Sequence, residues 1–196
     1  MLNSLHTLIT QALREDGAED DITTLSTIPV EQQAHGVMVT RQAGVIAGLH
    51  VAAATFQLFD PHINVKLLVA DGTCVQAGQE LMHINGPARS LLSAERVALN
   101  FLGRLAGIAT LTAQCVHALG GTHTHILDTR KTTPGLRTLE KEAVRLGGGH
   151  NHRFGLNDGV LIKDNHIKAA GGIPQAIRAA RHQAPHLLKI ECECET

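Results

Sequence analysis

DTRKTTPGLRTLEKEAVRLGGGHNHRFGLNDGVLIKDNHIK, residues 128–168, decides how the rest of this chain is read. The stretch holds eight of the seventeen Lys and Arg residues against five acids, Asp128, Glu140, Glu142, Asp158 and Asp164. It is therefore locally cationic, whereas the whole chain carries a formal charge of −1. A cationic site in a near-neutral protein points to a small anionic ligand. A nucleic acid would be met by a basic face or a strongly basic domain, which is absent from the pattern.

Spacing within the stretch says more than charge. Residues 126–129 read as a short strand that ends at Arg130 and Lys131. Thr133-Pro134-Gly135 reads as a helix start, with Thr as cap and Pro in the first turn. Leu136, Leu139, Ala143 and Leu146 then recur at helical spacing, and Gly147-Gly148-Gly149 stops the helix. That glycine run is no phosphate loop of the P-loop type, because it closes a helix and no GK[ST] follows. On this helix Lys141 and Arg145 are expected on a solvated face. His150, His152 and Arg153 lie just beyond the stop. A second strand, residues 159–162, delivers Lys163 to its carboxyl end, and a last strand is expected over residues 187–194. Strands alternating with helices imply parallel pairing, and α/β barrels place their chemistry where such strands end.

Working outward toward the amino terminus, Leu91 to Ile108 form a largely apolar helical run in which Arg96 must reach solvent, a partner or a ligand. Arg104 is read as structural. Before it, VMVT, VIAGL, VKLLVA and LMHI alternate with glycine turns, which predicts an antiparallel sheet, with VAAATFQLF as an interposed helix. Leu2, Leu5, Leu8, Ile9 and Leu13 give a first amphipathic helix, followed by the acidic run of residues 15–21 as a solvated turn. The fold class expected is an α+β N-terminal domain over residues 1–105, antiparallel sheet with helices, followed by the first part of an α/β barrel over residues 106–196.

Composition bounds the rest. With 43% hydrophobic and 18% charged residues the chain can bury a core, and no run of about 18 apolar residues predicts a membrane span. The first twelve residues lack a basic start followed by an apolar run, so a secretory signal is not expected and the cytoplasm is the expected compartment. Four cysteines do not make a disulfide framework in a chain of this length, and Cys192 and Cys194 are read as buried apolar residues sharing one strand face. The pairs His123/His125 and His150/His152 lack a third ligand at metal spacing, so no protein-held metal is expected.

TRKTTPG, GGGHNHR and IKDNH, in this order and spacing, resemble the signature of the quinolinate phosphoribosyltransferase family, the carboxylating nicotinate-nucleotide pyrophosphorylases. GAEDDITT, residues 93–110 and IECECE are further matches, so the resemblance runs from the first helix to Thr196. Glu142 departs from the aromatic residue the family pattern would place there. The resemblance implies transfer of phosphoribose from phosphoribosyl pyrophosphate to quinolinate with loss of carbon dioxide, a step of NAD biosynthesis. It implies that Arg130, His152, Arg153 and Lys163 bind quinolinate, joined by Arg96 from the other subunit of a homodimer, and that Thr129 is a further substrate-binding residue. It also implies that Lys131 is the catalytic lysine near both substrates, that Glu193 contacts the ribose hydroxyls, and that Mg2+ arrives on the pyrophosphate.

The residue types suit that chemistry. Arginine's planar fork grips carboxylates at two points, and lysine is a compact charge suited to phosphate. A related phosphoribosyltransferase for another base and a non-catalytic fragment remain as alternative readings. Three strand–helix repeats cannot close an eight-stranded barrel, so the 196 residues are expected to hold about two thirds of a family member and to be a poor enzyme alone.

Overall fold

The computed structural model describes residues 2–194, and the chain forms two compact units. The first comprises Met1–Asp128 with Thr132–His150, and the second Thr129–Lys131 with Asn151–Thr196.

In the first unit, α1 (Leu2–Glu15) buries Ile9 and Leu13, as its apolar spacing predicts. The acidic run that follows is more than a solvated turn. It forms a 3₁₀ turn (Ala18–Asp20) that buries Ala18, and Asp21 then caps α2 (Ile22–Thr27) by accepting from the Thr24 backbone N–H at 3.0 Å. The same carboxylate accepts from Ser93 Oγ at 3.1 Å, so a residue that looks solvated from sequence ties two helices together.

The sheet follows the alternation. β1 (Gln33–Val39) and β3 (Asn64–Leu67) flank β5 (Glu80–Pro87), both antiparallel to it, while β2 (Gly44–Val45) and β4 (Cys74–Val75) make a separate antiparallel pair. Between them α3 (Leu49–Phe59) is the helix expected from VAAATFQLF. α4 (Ala88–Ala118) has 31 residues, hence about 46 Å of length. Its Leu91, Ala94, Val97, Phe101 and Leu105 join Phe56, Leu81 and Met82 in one core.

α5 (Arg137–Leu146) begins later than the sequence implies. Thr133-Pro134-Gly135 forms a turn instead, with the Leu136 N–H donating to Thr133 O at 3.0 Å and Gly135 at φ 82°, a left-handed conformation that interrupts a helix. At the other end the glycines have separate reasons. A Cβ on Gly147 would lie 2.3 Å from the Ala109 carbonyl oxygen, so only glycine lets α5 close on α4, and Gly148 adopts φ 88°. The strand expected over residues 126–129 reduces to one parallel bridge, Leu127 with His150. His150, just beyond the helix stop, is thus a bridge partner, because the chain leaving the glycines runs directly beside residues 126–128.

The second unit holds β6 (Val160–Ile162), α6 (Asp164–Ala170), α7 (Ile173–Gln183) and β7 (Ile190–Cys192). β6 and β7 are parallel, with Leu161 opposite Glu191 and Ile162 opposite Cys192, and the Glu193 N–H donates to Ile162 O at 2.9 Å. β7 is shorter than the expected 187–194 because residues 185–188 form a turn, Leu188 N–H to Pro185 O at 3.0 Å. This strand–helix–strand unit is the opening of the parallel α/β arrangement expected from sequence.

Candidate active site

Parallel pairing sets which residues meet. Lys163 follows β6 directly and Glu193 follows β7, and the register places them side by side, with Lys163 Nζ 2.6 Å from Glu193 Oε2. Both are substantially exposed, 47% and 61% for the side chains. Two residues earlier on the same face of β7, Glu191 Oε2 lies 2.9 Å from His152 Nε2. His166 of the IKDNH motif turns back, its Nδ1 accepting from the Lys163 backbone N–H at 3.0 Å, so this histidine fixes the start of α6.

Arg153 is half-buried and donates from its guanidinium to Gly159 O at 2.8 Å. That bond braces the turn of residues 154–158, which Asp158 closes by accepting from the Phe154 and Gly155 N–H groups at 2.7 and 2.9 Å. Thr129 Oγ1 accepts from the Lys131 N–H at 3.0 Å, which shapes the Thr129-Arg130-Lys131 segment. Arg130 is half-buried and Lys131 exposed. Thr129, Arg130, Lys131, His152, Arg153, Lys163 and Glu193 therefore belong to one compact unit.

Arg96 belongs to the other unit. It is exposed on α4 and lines a groove of about 1050 Å³ with Val37, Val39, Leu92, Glu95 and Leu99. Three of these apolar side chains are unusually open, Val37 at 41%, Val39 at 45% and Leu92 at 46%.

Two features of the basic stretch escape sequence reasoning. Lys141, expected on a solvated face, is fully buried and ion-paired with the buried Asp128. The alkyl stem of a lysine satisfies an amphipathic pattern from either side, so periodicity cannot place it. Arg104 Nε donates to Glu140 Oε1 at 2.8 Å, the same guanidinium meets Thr133 Oγ1, and Glu140 Oε2 accepts from the Thr133 N–H at 3.1 Å. Burial alone would raise the Glu140 pKa, but the bonds from Arg104 and Thr133 outweigh it and hold the carboxyl below its ordinary value. Arg104 is structural, as expected, and its work is to fix the turn after the Thr-Arg-Lys segment.

The cysteines depart from their reading. Cys192 is half-buried and Cys194 exposed, not buried as expected, while their Sγ atoms 3.8 Å apart agree with a shared face. Glu142 is 37% exposed and lies 4.0 Å from His50 Nε2, so a polar contact occupies the position where an aromatic was expected. Among the described residues no group of three or more His, Cys, Asp or Glu is placed to hold a metal ion, and no helix is long and apolar enough to cross a membrane.

A parallel strand pair presenting cations and carboxylates at its carboxyl ends is the layout in which α/β enzymes hold small anionic substrates. Residues 21–106 match the model of the quinolinate phosphoribosyl transferase N-terminal domain, and residues 108–196 that of its C-terminal domain. The chain is 46% identical over 192 residues to the probable carboxylating nicotinate-nucleotide pyrophosphorylase of Bacillus subtilis (strain 168), covering 98% of this chain and 66% of that relative. To the Mycobacterium leprae carboxylating nicotinate-nucleotide pyrophosphorylase it is 48% identical, covering 95% of this chain and 66% of that one. The crystal structure of NadC from Streptococcus pyogenes superposes with a TM-score of 0.95 at 43% identity, covering 100% of this chain and 70% of that one. The chain belongs to the quinolinate phosphoribosyltransferase family. It spans between 52% and 66% of the length of such curated relatives.

Proposed function

We propose that this protein transfers phosphoribose from phosphoribosyl pyrophosphate to quinolinate and releases pyrophosphate and carbon dioxide, giving nicotinate mononucleotide for NAD biosynthesis. The observation that carries the reading is the gathering of Arg130, Lys131, His152, Arg153 and Lys163 in one unit, with Glu193 on Lys163. Arg130 and Arg153, with Thr129, His152 and Lys163, would hold the two carboxylates of quinolinate, since the planar guanidinium is the group suited to two-point contact. Glu193 would exchange its lysine partner for the ribose hydroxyls when substrate arrives.

In the reaction the pyridine nitrogen attacks the anomeric carbon and the bond to pyrophosphate breaks. Negative charge grows on the leaving group, so Lys131 stabilises the transition state more than the ground state. The carboxylate of Glu193 favours the positive charge that develops on the sugar. The pyridinium formed then draws the electrons of the breaking carbon–carboxylate bond, the ring carbon that loses carbon dioxide takes a proton from water, and no side chain forms a covalent intermediate. Mg2+ would enter on the pyrophosphate, for which a cationic site with few clustered carboxylates is the suitable host.

The reading extends to a homodimer in the cytoplasm, in which Arg96 and the open apolar groove around it face a second subunit whose site Arg96 completes. The test is calorimetric titration with quinolinate and with nicotinate, alongside assay of nicotinate mononucleotide from quinolinate, phosphoribosyl pyrophosphate and Mg2+. Quinolinate is expected to bind at least about tenfold more tightly, because losing one carboxylate removes a charge-assisted contact worth about 1.5–3 kcal/mol. Equal affinity for the two acids would overturn the substrate assignment.

A further inference from the structure

The carboxylate on β7 that meets His152 has no part in the reading above. Glu191 and Glu193 are two residues apart, and each meets a nitrogen of the basic stretch: Glu193 that of Lys163 at 2.6 Å, Glu191 that of His152 at 2.9 Å. The register explains how. Glu191 is level with Leu161 of β6, and its carboxylate reaches a histidine eight residues before the start of β6. The pair adds little to stability, since Glu191 is 60% exposed and His152 24%. Ion pairs this open contribute on the order of 0–1 kcal/mol. Its consequence is orientation. An imidazole can rotate about its terminal bond and exchange its two nitrogens, and a carboxylate against one nitrogen fixes that atom as the proton carrier.

We propose that Glu191 is a positioning residue: it accepts from His152 Nε2–H, so that Nδ1 is the nitrogen turned to the bound dicarboxylate, to which it donates when the ring carries both protons. The proposal rests on the reading of His152 as a quinolinate contact. It gives the two glutamates of the strand separate tasks, Glu193 toward the sugar and Glu191 toward the histidine. It also predicts that the charge of Glu191 matters less than its acceptor oxygen. Glutamine at this position retains an acceptor for Nε2–H, whereas alanine does not.

Quinolinate dissociation constants are measured for the wild-type chain and for Glu191→Ala, Glu191→Gln, His152→Ala and the Glu191→Ala/His152→Ala pair. Removing the carboxylate partner of a ligating histidine costs about tenfold or more in affinity at metal sites, and a loss of about tenfold is expected here for Glu191→Ala. Glu191→Gln should recover most of it, and the double variant should bind no more weakly than His152→Ala alone. Wild-type affinity in Glu191→Ala, or losses that multiply in the double variant, would overturn the proposal. Should the wild-type chain bind no quinolinate, the functional reading fails first, and the ring-nitrogen NMR spectrum of His152 decides the positioning role. A single Nε2–H tautomer kept in wild type and Glu191→Gln but lost in Glu191→Ala supports it. The same tautomer in all three overturns it.

Discussion

Two lysines of the same basic stretch pair with carboxylates and meet opposite fates. In the first unit Lys141 and Asp128 are almost wholly removed from solvent, with side-chain exposures of 0% and 7%. In the second, Lys163 and Glu193 are open at 47% and 61%. The buried pair cannot release its partner without stranding a charge in a low-dielectric interior, so it acts as a structural pin. The open pair can exchange partners with water or ligand at little cost, which is what a substrate-binding cation requires. Each is a lysine against a carboxylate, and solvent access separates scaffold from site.

The contrast is broken most directly at Lys141. Lys141→Met should destabilise the protein by about 3–5 kcal/mol, because Asp128 is left charged and buried, and adding Asp128→Leu should restore part of the loss. Urea unfolding of the two variants measures this, and a loss below about 1 kcal/mol for the single change would place Lys141 with the exposed lysines. At Lys163 the opposite balance is expected. Lys163→Ala should leave unfolding within about 1 kcal/mol of wild type while weakening quinolinate binding, as read by parallel denaturation and titration.

A third pair, intermediate in burial, sharpens the comparison with a smaller effect. His50 Nδ1 lies 2.7 Å from Asp71 Oδ2, and Asp71 also accepts from the Leu49 and His50 N–H groups at the start of α3. The hydrogen bond to Asp71 raises the His50 pKa against the opposing effect of burial. For Asp71, burial works to raise the pKa, but the bonds from His50 and Leu49 prevail and lower it. The stabilisation from a raised histidine is fully present below the ordinary value of 6.5 and is lost as pH rises through the folded-state value. The Asp71 contribution is lost only as pH falls below 3.8, outside the working range. Thermal unfolding at about pH 6 and pH 8 should therefore show a small loss at the higher pH that His50→Gln abolishes. With the His50 side chain 42% exposed, the loss should be well under about 1 kcal/mol. An equal loss in wild type and His50→Gln would assign it to another group.

Much of this molecule is legible in the chain because short-range rules govern it. The apolar spacing of α1, α3, α4 and α5, the alternation of the antiparallel sheet and the parallel order around β6 and β7 all follow from periodicity. The motifs TRKTTPG, GGGHNHR and IKDNH name the family and put its cations at strand ends. Arg104, read as structural, is held by Glu140 in the structure. Tertiary structure alone decided that Lys141 is buried against Asp128, that Glu140 clamps Thr133, that His150 pairs with residue 127, and that Glu191 closes on His152. Periodicity tells which side chains share a face, but not what packs against that face. These four outcomes depend on partners between 7 and 39 residues away, whose approach is set by the packing of whole elements.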